Sequence, residues 1–138
     1  MVTGAAGGFG RLIALKSSAL GASVVCSDVD ESTLNLVVQE AASDRVIGIT
    51  ADVTNLKDLQ ELVEGTIERL GRVDVMINNA GIMPLAFYQD HEKAIEAWHN
   101  CIDINIKGVL NGIVAVYDQM ISQGRGCLLY TSPSPRDS

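Results

Sequence analysis

Short apolar runs alternate with longer amphipathic stretches over the first 81 residues. Val24-Val25-Cys26-Ser27 follows Gly21, Arg45-Val46-Ile47-Gly48-Ile49 forms a second run, and Val73-Asp74-Val75-Met76-Ile77 lies between Gly71 and Asn78-Asn79. Runs this short, with turn residues beside them, predict strands. The stretches between them carry helical spacing. Leu12, Leu15, Ala19 and Leu20 would share one face of a helix starting near Arg11. Leu56, Leu59, Leu62/Val63, Ile67 and Leu70 recur at the i, i+3, i+4 steps of a second amphipathic helix. Thr54 or Asn55 can cap its start, and Gly71 suits the left-handed position past its end. Further on, Asp90–Asn100 and Ile102–Gln123 read as helices, the second rich in Ile and Val around much of its circumference. Strands separated by helices of this length predict β-α-β units: an α/β chain with a parallel sheet covered by helices on both faces.

Composition narrows the function classes. The chain has 138 residues, of which 47% are hydrophobic and 20% charged, so it is too apolar to be disordered and long enough for one domain. Ten Lys+Arg against 17 Asp+Glu give a net charge of −7 with no basic run, which argues against nucleic acid and anionic membranes as partners. No apolar stretch approaches the roughly 20 residues of a membrane helix, and no signal-peptide pattern opens the chain, so a cytoplasmic location is expected. Cys26, Cys101 and Cys127 are odd in number and lack CxxC spacing, and His91 and His99 are not at i, i+4 spacing. Neither a disulfide framework nor a metal site is expected.

The chemistry concentrates in Thr3-Gly4-Ala5-Ala6-Gly7-Gly8-Phe9-Gly10, which follows a strand stub, Met1-Val2, and opens into a helix. Glycines there let the backbone turn sharply and let a pyrophosphate approach without a Cβ in the way. The helix start then offers unpaired N–H groups and a partial positive charge. Asp28, at the end of the second strand, is placed to accept from the hydroxyls of an adenosine ribose. It would also repel a 2′-phosphate, by roughly 4 kcal/mol for unit charges ~4 Å apart at an effective dielectric of ~20. NAD is therefore expected in preference to NADP. The alternative for Asp28 is a solvated acid in the Asp28-Val29-Asp30-Glu31 cluster, although Asp30 fits the capping role better.

With Asn78-Asn79-Ala80-Gly81 and Asn105-Ile106-Lys107-Gly108 added, the chain from Met1 to Gly126 resembles the classical short-chain dehydrogenase/reductase family. The resemblance implies a Rossmann-type doubly wound sheet that binds a nicotinamide dinucleotide and transfers hydride to or from an alcohol or carbonyl substrate. It implies that Thr3, Gly4, Gly8, Phe9 and Gly10 meet the pyrophosphate, and that Asp52 and Val53 meet the adenine. It further implies that Asn79, Ala80 and Gly81 form the floor under the nicotinamide ribose, and that Asn105 is a catalytic asparagine holding a water in a proton relay. Asp52 could instead cap the next helix, and Asn105 could be a helix-surface residue. Family members pair through the helix equivalent to Ile102–Gln123, so a homodimer or homotetramer is implied for the intact parent.

The family's proton donor is a tyrosine with a lysine four residues later, and this chain has no Tyr-x-x-x-Lys. Tyr88 leads to Glu92, Tyr117 to Ile121 and Tyr130 to Ser134. Cys127–Asp137 reads CLLYTSPSPRD, which resembles the in-frame translation of a sequencing adaptor. Proline also makes poor central-strand material. The sequence thus divides into a dinucleotide-binding part, residues 1–126, and a tail, residues 127–138, expected to be non-native. The 1–126 part is expected to bind cofactor but not to turn over substrate; the alternative for the parent is a non-catalytic dinucleotide-binding relative that senses cofactor. Met1-Val2 reads as the remnant of a longer central strand.

Overall fold

The computed structural model describes residues 1–85 and 87–130. Its strands are β1 (Val2–Thr3), β2 (Val24–Asp28), β3 (Val46–Thr50), β4 (Val75–Ile77) and β5 (Cys127–Leu129). They pair in the order β3-β2-β1-β4-β5, and all four pairings are parallel. The helices are α1 (Gly8–Ala19), α2 (Glu31–Ala41), α3 (Leu56–Leu70), α4 (His91–Ile102) and α5 (Val109–Ser122). A π-helical segment, Asp103–Gly108, joins the last two.

Alternating strand residues supply two cores. Val2, Val24, Cys26 and Val46 meet Ala14 of α1 and Leu34 of α2 on one face of the sheet. Val25 faces the other way with Leu59 and Leu62 of α3, while Met76 packs with Val63, Val116 and Met120. Helices therefore cover both faces, as the runs and spacings predict. Asn55 caps α3 by accepting from Lys57 N–H at 3.0 Å, and Gly71 closes that helix with φ +78°.

Three expectations change. α1 does not bury Leu12 or Leu20, the latter being 90% exposed; its inner face is Gly10, Ala14 and Ser18. Small residues let the helix axis approach the sheet, so a search for large apolar residues selects the wrong side. The helix also begins at Gly8 rather than near Arg11. Finally, Cys127–Leu129, inside the segment set apart as a tail, pairs with β4. Cys127 N–H donates to Asp74 O at 2.9 Å, and Asn78 N–H donates to Leu129 O at 2.8 Å. The prolines that disfavour a strand lie later, at 133 and 135, outside the described residues.

Candidate dinucleotide site

Sheet order reverses at β1, with β2 on one side and β4 on the other, so a crevice opens where the loops after β1 and β4 diverge. The glycine-rich loop is held there by its neighbours. The side-chain amide of Asn79 donates to Thr3 O at 3.0 Å and Gly4 O at 3.2 Å. Thr3, which is buried, returns the contact: its hydroxyl accepts from the N–H groups of Asn79 and Ala80 at 3.1 and 3.2 Å. Gly4 takes φ +63°, and a Cβ there would lie 2.8 Å from Ala80 Cα.

α1 leaves its first turn open. Its N-cap, Gly7, makes no side-chain cap, the first turn holds no acid, and the first amide to find a carbonyl at this end is Arg11 N–H, on Gly7 O. The N–H groups of the opening residues therefore point out of the helix end, beside a partial positive charge. Gly8 has φ +51°, and a Cβ built there meets nothing within 4 Å. That open space above a glycine and a bare helix end is a cradle a pyrophosphate fits. Phe9, 79% exposed, stands at its rim.

A cavity of about 170 Å³ adjoins the loop, lined by Gly4, Asp28, Asp52, Val53, Ala80 and Gly81, with Val29, Ala51, Ile82 and Ile104 completing the wall. Six residues selected from sequence thus share one wall. Asp52 spends Oδ1 on the N–H and hydroxyl of Thr54, both at 2.8 Å, while Asn55 caps α3, so Asp52 is not that helix's cap. Asp30, not Asp28, caps α2: it accepts from Thr33 N–H at 3.1 Å. Hydrogen bonds from Ser32 and Thr33 push its carboxyl down to about 2. Thr3, Gly8, Phe9, Gly10, Asn79 and Asn105 do not line the cavity; Thr3 and Asn79 instead hold the loop.

Asn105 sits in the π-helical segment. Its Oδ1 accepts from Ile82 N–H at 2.9 Å, and its Nδ2 donates to Ile82 O at 2.8 Å and to Cys101 Sγ at 3.3 Å. The side chain is therefore not a free surface group; it fixes the turn after β4. A Cβ on Gly81 would lie 3.3 Å from Asn105 Oδ1, so Gly81 permits this approach. Beyond Ile82 the loop turns outward, with Met83 and Leu85 exposed. Trp98 is half-buried and packs on Tyr88, the ring centroids 5.8 Å apart.

One asparagine that sequence reading overlooked, Asn111, and one it named within a motif, Asn78, also bear on the site. Asn111 Nδ2 donates to Val53 O at 2.9 Å, tying α5 to the cavity wall. Asn78 Oδ1 lies 1.9 Å from where a Cβ on Gly112 would sit, so that glycine makes room for it. The available signal was a polar residue, Asn111, inside the apolar run Val109–Val116. A larger hollow of about 410 Å³, lined by Met1, Val24, Arg72 and Val75 among others, lies at the N-terminal ends of the strands. It is remote from the start of α1, so we assign it no nucleotide. Burial pushes the Cys26 thiol up to about 11, which keeps it protonated and unreactive.

A sequence model of the short chain dehydrogenase family matches residues 1–134. The chain belongs to the short-chain dehydrogenase family. This member is 42% identical over 137 residues to an uncharacterized oxidoreductase of Listeria monocytogenes, covering 96% of this chain and 53% of the relative. It is 34% identical over 134 residues to the 3-oxoacyl-[acyl-carrier-protein] reductase of Thermotoga maritima, covering 96% and 54%. Among solved structures, a short-chain dehydrogenase/reductase from Burkholderia phymatum in complex with NAD superposes with a TM-score of 0.85 at 33% identity, over 92% of this chain and 46% of that one. Serine dehydrogenase from Escherichia coli gives 0.82 at 28%, over 92% and 58%. The short-chain dehydrogenase described here spans about half the length of these curated relatives. The family match also runs across the boundary expected at residue 126.

Proposed function

We propose that the parent protein is an NAD-dependent oxidoreductase transferring hydride between the cofactor and a small alcohol or carbonyl substrate, and that this chain carries its cofactor-binding half. The observation that carries the reading is one wall shared by Gly4 of the glycine-rich turn, Asp28 and the pair Asp52-Val53. The NAD in the Burkholderia structure supports the cofactor class. When bound, the nicotinamide would supply the hydride chemistry, and the protein's task is binding and orientation.

In this reading the amides of Gly8, Phe9 and Gly10 take the pyrophosphate, Asp28 the adenosine ribose, and Asp52 and Val53 the adenine. Ala80 and Gly81 leave room under the nicotinamide ribose. Asn105 sets the height of that floor through its two bonds to Ile82. Both Nδ2 hydrogens are engaged, on Ile82 O and Cys101 Sγ, so any proton relay through the Asn105 side chain would use the second lone pair of Oδ1. The chain holds no Tyr-x-x-x-Lys, so by itself it binds cofactor without turnover. Exposed Ile106 of the π-helical segment and Leu110, Val114 and Ile121 of α5 form one outer side, where the parent pairs with a second copy.

Calorimetric titration of this chain with NAD⁺ and NADP⁺ tests the assignment. Saturable NAD⁺ binding, at least tenfold tighter than NADP⁺, is expected. Equal or stronger NADP⁺ binding would remove Asp28 from the ribose, and measurable alcohol oxidation by the purified chain would refute its inactivity.

A further inference from the structure

The main-chain ladder between β1 and β2 stops one residue short of the loop it must support. Ala5 N–H donates to Ser27 O at 2.9 Å, continuing the parallel pairing of Thr3 with Ser27. The next carbonyl of β2, Asp28 O, faces the other way and accepts from Ala51 N–H at 3.1 Å, on the β3 side. Ala6 N–H is left without a main-chain acceptor. The Asp28 side chain supplies one: Oδ2 accepts from Ala6 N–H at 2.9 Å. Its other oxygen, Oδ1, accepts from Asp30 N–H at 3.2 Å, at the entrance to α2. One carboxylate therefore takes an amide just past β1 and ties the glycine-rich turn to the start of α2.

We infer that Asp28 is a positioning residue for the pyrophosphate loop as well as the ribose acceptor. This rests on the nucleotide-binding reading above. The two roles are compatible because each carboxylate oxygen has two lone pairs and each spends one on a backbone amide. Specificity is then coupled to loop geometry. Replacing Asp28 to admit a 2′-phosphate also removes the anchor of Ala6, four residues before Gly10, and loosens the turn that presents the helix end. The same chemistry explains why the acid tolerates its site: amides aimed at a carboxylate form the stronger, charge-assisted kind of hydrogen bond.

Inorganic pyrophosphate separates the two roles, because it has no ribose. If Asp28 only contacted ribose, Asp28→Ala would remove a negative charge near an anion site and tighten pyrophosphate binding. If Asp28 positions the loop, the variant weakens it. The experiment is NMR on the full chain, combining amide hydrogen exchange with titration by inorganic pyrophosphate, NAD⁺ and NADP⁺. In the wild-type chain the Ala6 amide should be protected about tenfold more than that of Gly7, with a scalar coupling across the hydrogen bond from Ala6 N to the Asp28 carboxyl carbon. Asp28→Ala should lose that protection, bind pyrophosphate several-fold more weakly, and fail to bind NADP⁺ as tightly as wild type binds NAD⁺. Asp28→Asn, with one acceptor oxygen, should fall between the two.

An unprotected, uncoupled Ala6 amide in wild type would overturn the inference without any variant. Tighter pyrophosphate binding by Asp28→Ala would do the same. Should wild type bind neither pyrophosphate nor NAD⁺, the nucleotide assignment fails, while exchange at Ala6 still decides whether Asp28 anchors the loop.

Discussion

Gly10 is the position where the structure leaves least room, and Gly10→Ala is the sharpest test of the site. A Cβ there would lie 2.2 Å from Gly4 O, 2.8 Å from Gly4 C and 2.6 Å from Asn79 Nδ2. Ordinary contact begins near 3.4 Å, so the helix start and the loop must separate by about 1.2 Å. The loop cannot supply that movement, because Gly4 is pressed against Ala80 and its carbonyl is held by Asn79. α1 must therefore retreat. Overpacking of this kind costs about 1–3 kcal/mol, offset in part by the roughly 1 kcal/mol that alanine gains over glycine inside a helix. A net loss of about 0–2 kcal/mol is expected in urea unfolding of the chain. Binding should suffer more. A retreat of that size carries an amide from about 2.9 Å to beyond 4 Å from a phosphate oxygen, outside hydrogen-bond range. Losing two bonds to a charged group, at about 1.5 kcal/mol each, predicts roughly a hundredfold weaker NAD⁺ binding by calorimetry. An alanine variant with wild-type urea midpoint and wild-type affinity would refute the packing argument and the placement of the phosphate together.

Asn105→Ala removes both hydrogen bonds to Ile82 and should destabilise the chain by about 1–2 kcal/mol; hydrogen exchange at the Ile82 amide should rise with it, and an unchanged rate would show that the turn is held elsewhere. Asp30 has its carboxyl held near 2 in the folded chain, below its ordinary 3.8, so its stabilising effect is complete above about pH 4 and is lost as pH falls through 2. Asp30→Ala should accordingly flatten the acid limb of the stability profile between those values, and a profile with the wild-type slope would contradict the cap. Leu110→Glu, on the exposed side of α5, should dissociate the full-length parent in analytical ultracentrifugation, and an unaltered oligomer would place the interface on another surface.

What the sequence made legible followed from how local the cause was. β2, β3 and β4 were readable because each is a short, mostly apolar run bounded by turn residues in the chain. α3 was readable because its leucines fall on one stripe and its capping residues, Asn55 and Gly71, are adjacent in the chain. α1 was misread because its buried stripe is Gly10, Ala14 and Ser18, which no hydrophobicity count detects. At the site, Asp28 could be placed at a strand end from spacing alone. Its bond to Ala6 spans 22 residues and depends on which way each β2 carbonyl turns, which is a property of the sheet. Asn79 was legible as an asparagine beneath the crevice, but not as the clamp on Thr3 and Gly4, for the same reason.

The π-helical segment has a consequence for how this family member tolerates length change. An α-helix turns by about 100° per residue, and the wider π-turn of Asp103–Gly108 absorbs a residue that would otherwise rotate α4 against α5 by that angle. Deleting one residue other than Asn105 there would close the widened turn into a regular helix and re-aim the side chains inside the window, unseating Asn105 from Ile82 although α4 and α5 keep their phase. Indels in this six-residue window should therefore be far less tolerated than substitutions, which makes the segment a frame-setting element whose count matters as much as its composition.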